Sequence, residues 1–195
     1  GTRRILLSSD GTSSEELKAR VRGIVGPDVS IKTSGSMAPP ASAFLSGKEA
    51  SAMFGTFRYV PNANGTVAPD PGWVARNIVT TTVPILGRVT CHRLMIPQLN
   101  GALTEVVESG LAAQIHAGQY AGCYYPRYIA YNAARGLSLH TWGVALDMNV
   151  PGNLRGTQGE IDRRVVSIFK RWGFRWGGDW SYTDPMHFEL GALLR

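Results

Sequence analysis

Ser138-Leu139-His140-Thr141-Trp142-Gly143-Val144-Ala145-Leu146-Asp147-Met148-Asn149-Val150 is the stretch from which the rest of the chain can be read. Imidazole and carboxylate are good ligands for a divalent cation, and His140 and Asp147 stand seven positions apart here. Val144-Ala145-Leu146, leading into Asn149-Val150-Pro151-Gly152, reads as a short strand that runs into a turn. Side chains alternate along a strand, so an odd separation puts the two residues on opposite faces of one continuous strand. His140 is therefore expected in a turn before the strand, or a bulge intervenes, with Gly143 the natural place for it.

Forty residues beyond Asp147 comes a second cluster, Asp184-Pro185-Met186-His187-Phe188-Glu189. If residues 186 to 190 are extended, Met186, Phe188 and Leu190 face the core, and His187 and Glu189 share the other face. Asp184 precedes a proline, which steers it out of helical geometry into a turn. From there it can reach over a metal-bound water without ligating the metal. A catalytic zinc takes three protein ligands and keeps a fourth position for water. His140, Asp147 and His187 make such a set. Two histidines and a carboxylate also form the iron facial triad. Those sites usually hold the first histidine and the carboxylate much closer in sequence, so zinc ranks above iron. His92 and His116 stand alone and read as hydrogen-bonded structural residues.

Upstream of this region, Ile78 to Val83 and Ile85 to Cys91 are β-branched runs that read as strands. Pro97 suits the first turn of a helix whose apolar face is Leu99, Leu103, Val106 and Val107, with Gly110 ending it. Residues 61 to 72 read as a loop. Within it, Asn64-Gly65-Thr66 matches a glycosylation acceptor too short to be more than chance. Downstream, Ile161, Val165, Ile168, Phe169 and Trp172 recur at helical spacing, and Gly173 closes that helix. Trp176-Gly177-Gly178-Asp179-Trp180 reads as a glycine-rich turn, and His187 to Leu190 as a last strand. Trp142, Trp176 and Trp180 read as core or cleft wall.

At the N-terminal end, residues 3 to 7 read as a strand, Ser13 to Glu16 as a capping box opening a helix, and Val29 to Lys32 as another strand. Residues 34 to 47 are rich in Gly, Pro, Ser and Ala, which is linker composition. The expected organisation is a small β-α-β segment plus linker over 1–48, open to a protein partner, and a main domain over 49–195. Helices and short strands mix without regular alternation, which points to an α+β fold.

The composition, 44% hydrophobic and 17% charged, is that of a globular protein. A net charge of +6 favours anionic surroundings. The basic residues are scattered and form no stripe interleaved with aromatics, which argues against nucleic acid and leaves an anionic cell envelope. No apolar run approaches the roughly 20 residues of a membrane span. The first residue is Gly1 rather than Met, so an upstream segment is expected to have been removed. Cys91 and Cys123 read either as two small buried side chains or, in an exported protein, as one disulfide.

Ser138-x-His140-x-x-Gly143-x-Ala145-x-Asp147, then Trp176-Gly177-Gly178-Asp179-Trp180 and Asp184-x-x-His187-Phe188-Glu189, resembles the D-alanyl-D-alanine carboxypeptidase/L-alanyl-D-glutamate endopeptidase family of zinc metallopeptidases. Vancomycin-resistance carboxypeptidases and many phage endolysins belong to that family. The resemblance spans residues 122 to 190, extends less distinctly back to about residue 49, and omits residues 1 to 48. It implies a small antiparallel sheet with flanking helices, a fold shared with the hedgehog signalling domain. It also implies one Zn²⁺ per chain on His140, Asp147 and His187, with Asp184 as general base. Arg127, in Cys123-Tyr124-Tyr125-Pro126-Arg127, looks like the family's arginine that holds the scissile carbonyl. Ser138 either orients substrate or caps a turn. Glu189 either supports a ligand histidine or is the runner-up base.

The expected function is hydrolysis of peptidoglycan stem peptides by a D,D-carboxypeptidase or an L-Ala-D-Glu-type endopeptidase. The expected location is a bacterial cell envelope or its exterior, or a phage lysin. The other reading is a non-catalytic wall-binding or interaction module that keeps the metal for structure.

Overall fold

The computed structural model of the chain describes residues 44–194. The strand-helix-strand reading of residues 3 to 32 lies outside them, as does most of the stretch read as linker. Of that stretch, the part from Phe44 is folded: Leu45 is buried, and Ser46 caps helix α1 (Gly47–Phe54). The cap is reciprocal. Ser46 Oγ accepts from the Glu49 N–H, and the Glu49 carboxylate accepts from the Ser46 N–H.

The fold is α+β, as expected. Among the described residues three antiparallel sheets organise it. The first joins β1 (Tyr59–Pro61) to β2 (Val67–Pro69). Residues 61 to 72, read as a loop, thus hold the turn of a hairpin, one strand of it, and the start of α2 (Pro71–Asn77). The turn works because Asn64 Oδ1 accepts from both the N–H and the hydroxyl of Thr66, a local bond that competes with extended structure. The second joins β3 (Ile78–Val83) to β4 (Gly87–His92), with Cys91 opposite Val79. Helix α3 (Ile96–Glu108) follows and buries Leu99, Leu103 and Val106, while Val107 is 47% exposed. Val107 falls outside the buried stripe because the core-facing positions are Leu99, Ala102, Leu103 and Val106, one row of a 3.6-residue period.

The third sheet has three strands in the order β5 (Ala145–Asp147), β7 (His187–Leu190), β6 (Phe174–Trp176). Helix α4 (Arg163–Arg171) covers it. Asp162 caps α4, and Val165, Val166, Ile168 and Phe169 are buried. Phe169 meets Phe188 of the central strand at 4.8 Å between ring centres and Phe174 of the edge strand at 5.2 Å. This contact makes one sheet face a hydrocarbon core and leaves the other for polar groups. Trp176, read as part of a glycine-rich turn, ends β6, and a 3-10 turn covers Gly177–Asp179. Among the described residues no helix is long and apolar enough to cross a membrane.

Candidate metal centre

Strand register brings two of the candidate ligands together. Asp147 is the direct cross-strand partner of His187 in the β5–β7 pair, so both side chains leave the same face of the sheet. His140 comes from a 3-10 turn, Leu139–Thr141, just before β5. Of the two geometries that parity allows, the chain uses the turn. Ser138 caps it, its hydroxyl accepting from the His140 N–H at 3.4 Å, and is itself buried. Gly143 lets the chain pass from turn to strand. Its φ is +68°, and a β-carbon there would sit 2.9 Å from the His92 main-chain nitrogen. That close approach is used, because the His92 N–H donates to the Gly143 carbonyl at 2.7 Å.

The ligand atoms of His140, Asp147 and His187 all lie within 4.8 Å of one another. His140 Nε2 is 3.3 Å from Asp147 Oδ2, and His187 Nδ1 is 3.0 Å from Asp147 Oδ1. Tetrahedral ligands about 2.0–2.2 Å from a zinc ion stand roughly 3.3–3.6 Å apart, close to the two imidazole–carboxylate separations, while the full spread of the three ligand atoms is wider. The ring nitrogens are also arranged for ligation. His140 Nδ1 lies 2.8 Å from the Cys123 carbonyl. A carbonyl only accepts, so Nδ1 carries the proton and Nε2 presents a lone pair. That Nε2 is buried and makes no hydrogen bond. With a neutral ring, its lone pair and a carboxylate lone pair face each other, an arrangement that a cation between them relieves.

On the other histidine, Nε2 faces Glu189 Oε2 at 3.3 Å, which leaves Nδ1 toward Asp147. Glu189 is 2% exposed, and its other oxygen accepts from the Leu45 N–H. It is thus held between a ligand candidate and the segment that leads into α1. A carboxylate bonded to the outer nitrogen of a ligating histidine fixes that ring's orientation and tautomer.

Two carboxylates around buried imidazoles make a strongly negative pocket. Burial opposes the charge on Asp147, but the neighbouring imidazoles of His140 and His187 outweigh it and hold the carboxyl well below the usual range. Burial likewise opposes a charged His187. Hydrogen bonds to Asp147 and Glu189 win there too and push it up to about 10. Asp184 differs. Burial, joined by the charge on Asp147, raises its carboxyl above the usual value, against the pull of His187 and Arg155.

The loop carrying Asp184 is pinned from two sides. The Asp184 N–H donates to the Gly177 carbonyl at 2.8 Å, and the His187 N–H donates to the Asp184 carbonyl at 2.9 Å. A β-carbon on Gly177 would lie 2.3 Å from that Asp184 carbonyl oxygen, so the glycine is what admits the loop. Trp180, at the end of the same turn, packs on the His187 ring at 5.2 Å and touches Phe44 at 6.1 Å.

Arg127 is joined to the centre through its main chain. Its N–H donates to Thr141 Oγ1 at 3.0 Å, and that hydroxyl donates back to the Arg127 carbonyl at 2.9 Å, one residue from His140. Its guanidinium lies over Tyr131 at 5.5 Å and Tyr125 at 6.0 Å.

Cys91 and Cys123 are joined by a disulfide, with Cα atoms 5.5 Å apart. The bridge ties β4 to the segment whose carbonyl orients His140. His92 is buried against Phe54 and Trp73, and its Nδ1 accepts from the Leu94 N–H. His116 is exposed, and what ties it down is its main-chain N–H, donated to Asn149 Oδ1. The reading of His116 as a bonded structural side chain is thereby corrected. A polar cleft of about 260 Å³ opens near Asn149, Asn153 and Glu160, and none of the three ligand candidates lines it.

Sequence reasoning missed several participants. The Cys123 carbonyl and the Leu45 N–H are main-chain groups, which residue identity cannot reveal. Tyr120 Oη is buried without a partner, and burial together with the Asp147 charge raises its phenol to about 12. Arg155 lies 3.8 Å from Asp184, and nothing in its own sequence neighbourhood marks it out from the other arginines.

A buried two-histidine, one-aspartate cluster on one face of a small antiparallel sheet, with a carboxyl of raised proton affinity beside it, defines the class: an α+β domain with side chains grouped so that they could hold a metal ion. Residues 132–190, which contain His140, Asp147, Asp184 and His187, match the family model described as D-alanyl-D-alanine carboxypeptidase. Over that segment the chain is similar to that family of peptidases.

Proposed function

We propose that the protein is a zinc-dependent peptidase that hydrolyses peptide bonds in bacterial cell-wall stem peptides. The observation that carries this reading is the unpartnered Nε2 of His140, converging with Asp147 and His187 next to a carboxyl whose proton affinity is raised. His140, Asp147 and His187 would hold the metal. Bound zinc lowers the pKa of its water toward roughly 7 and so supplies a nucleophile at neutral pH.

The protein's own groups do the rest. Asp184, its carboxyl raised above the usual value by burial, takes the proton of the attacking water and delivers it to the leaving amine. Glu189 is unsuited to that task, since both its oxygens are engaged and it is buried. Its part is to orient His187. Ser138 shapes the turn that presents His140. Arg127, anchored beside that turn, supplies positive charge for the carbonyl oxygen. The Cys91–Cys123 disulfide supports a location outside the cytoplasm, at or beyond a bacterial envelope, where such bonds persist. The net charge of +6 suits an anionic wall.

The test is incubation of the purified protein with muropeptides, with and without a chelator, followed by mass spectrometry and elemental analysis. About one zinc per chain is expected, with cleavage that the chelator abolishes and zinc restores. Zinc retained without any cleavage would instead assign a non-catalytic metal-stabilised module.

A further inference from the structure

Beside Asp184 stands a cation that the reaction as described does not use. Arg155 sits in the loop after β5, with its side chain 45% exposed and Nη1 3.8 Å from Asp184 Oδ2. Its guanidinium lies over the exposed Tyr182 ring at 5.2 Å. The loop bearing it is firmly built. Asn153 is 2% exposed; its Oδ1 accepts from the N–H groups of Glu160 and Ile161, and its Nδ2 donates to the Asn149 carbonyl.

The loop is also sewn to the segment that carries Asp184. The Gly156 N–H donates to the Thr183 carbonyl at 2.8 Å, the Thr183 hydroxyl donates to the Thr157 carbonyl at 2.6 Å, and the Met186 N–H donates to the Asn153 carbonyl at 3.2 Å. Arg155 and Asp184 therefore share one rigid mount. Their ion pair, partly exposed and at 3.8 Å, holds the guanidinium weakly, since solvent screens such pairs and side-chain entropy opposes them. A substrate carboxylate offering two parallel acceptors competes for it readily. The contact with the Tyr182 ring uses none of the guanidinium N–H donors.

The position decides which carboxylate. In the peptidase reading, on which this inference rests, Asp184 delivers its proton to the leaving nitrogen. A cation beside Asp184 therefore stands next to the residue whose amine departs. In both candidate bonds that residue bears a free α-carboxylate one carbon from the nitrogen. For a D-alanyl-D-alanine bond it is the chain terminus. For an L-alanyl-D-glutamyl bond, with the chain continuing through the side-chain carboxyl, it is the glutamate α-carboxyl. We infer that Arg155 is a specificity-determining residue that binds the free α-carboxylate of the residue on the leaving side of the scissile bond.

The test uses two peptides that differ only in this group, α-carboxylate or α-carboxamide. Each is made in a cleavable form and in a form with a ketomethylene replacing the scissile amide. Affinities of the non-cleavable pair are measured by calorimetry on the intact metal-loaded protein, on Arg155→Gln and on Arg155→Lys. Metal content and circular dichroism serve as the check of fold. Wild type is expected to bind the carboxylate form about 10- to 100-fold more tightly, the range of a charge-assisted hydrogen bond. Arg155→Gln should bring the two forms within about threefold of each other, and Arg155→Lys should retain part of the preference. Equal affinity for the two forms on wild type, or an undiminished preference in Arg155→Gln, overturns the assignment. The cleavable pair separates the two claims. Cleavage without a carboxylate preference removes the role of Arg155 alone, a preference without cleavage removes the peptidase reading alone, and neither binding nor cleavage removes both.

Discussion

Asp184 and Glu189 flank His187 in sequence, yet their surroundings suit them to opposite roles in the proposed reaction. Asp184 is partly exposed and its carboxyl is raised, so it can exchange a proton. Glu189 is buried and bonded at both oxygens, so it can only orient. Asp184→Asn should keep the fold and the bound metal while lowering turnover about 10²- to 10⁴-fold, the usual cost of losing a general base. Glu189→Gln should weaken metal affinity about 10- to 100-fold while leaving measurable turnover at saturating zinc. Zinc content and rate are read on the same preparations. Near wild-type turnover in Asp184→Asn, beside a dead Glu189→Gln that keeps its zinc, would exchange the two roles. Strand parity already placed His187 and Glu189 on one face. It could not show that Glu189 is covered by Leu45, because that contact joins residues 144 positions apart.

At the scale of elements, the turn-to-strand passage from His140 to Asp147 depends on Gly143. Its positive φ costs a residue with a β-carbon about 1–2 kcal/mol, and the close approach to the His92 nitrogen adds to that. Gly143→Ala should therefore lower the melting temperature by several degrees and weaken metal binding, because the β5 end moves relative to the His140 turn. Calorimetry and a zinc titration check both. A variant with unchanged melting temperature and zinc affinity would show that this passage tolerates a side chain. Most elements were legible beforehand. The periodicity of Val165, Ile168 and Phe169 marks the helix that covers the sheet, and the β-branched runs mark β3 and β4. The hairpin at residues 59–69 was not legible, because its strands are three residues each and exposed for the most part, with no alternation to read.

At the scale of the whole molecule, two features set stability. The disulfide joins residues 32 positions apart, for which the chain-entropy model gives about 3–4 kcal/mol. Reduction should lower the unfolding free energy by about that amount. It should also loosen metal binding, because Cys123 supplies the carbonyl that orients His140. Denaturant unfolding and zinc titration with and without reductant decide it, and equal stability in both states would reject the coupling.

The second feature is His92, which burial, aided by the charge of Arg93, lowers from 6.5 to about 4. The unfolded chain therefore binds this proton more tightly than the folded one. Stability from this group is complete above pH 6.5 and is lost as pH falls toward 4, by up to roughly 3 kcal/mol at 1.36 kcal/mol per unit. His92→Asn keeps an acceptor for the Leu94 N–H but cannot titrate. It should flatten the stability profile between pH 4 and 6.5, and an unaltered slope would mean that other groups dominate.

The sequence by itself determined the chemistry on offer and the class of fold. Ligand types, their spacing and strand parity depend on neighbours along the chain, and a side chain's identity carries that information. Tertiary structure alone decided which nitrogen of His140 faces the site, what secures His187, and which arginine stands beside Asp184. Each of these rests on a main-chain carbonyl, a main-chain N–H or a surface loop brought in from far along the chain. Every residue has the same backbone donor and acceptor, so only the folded path tells which one a side chain will meet.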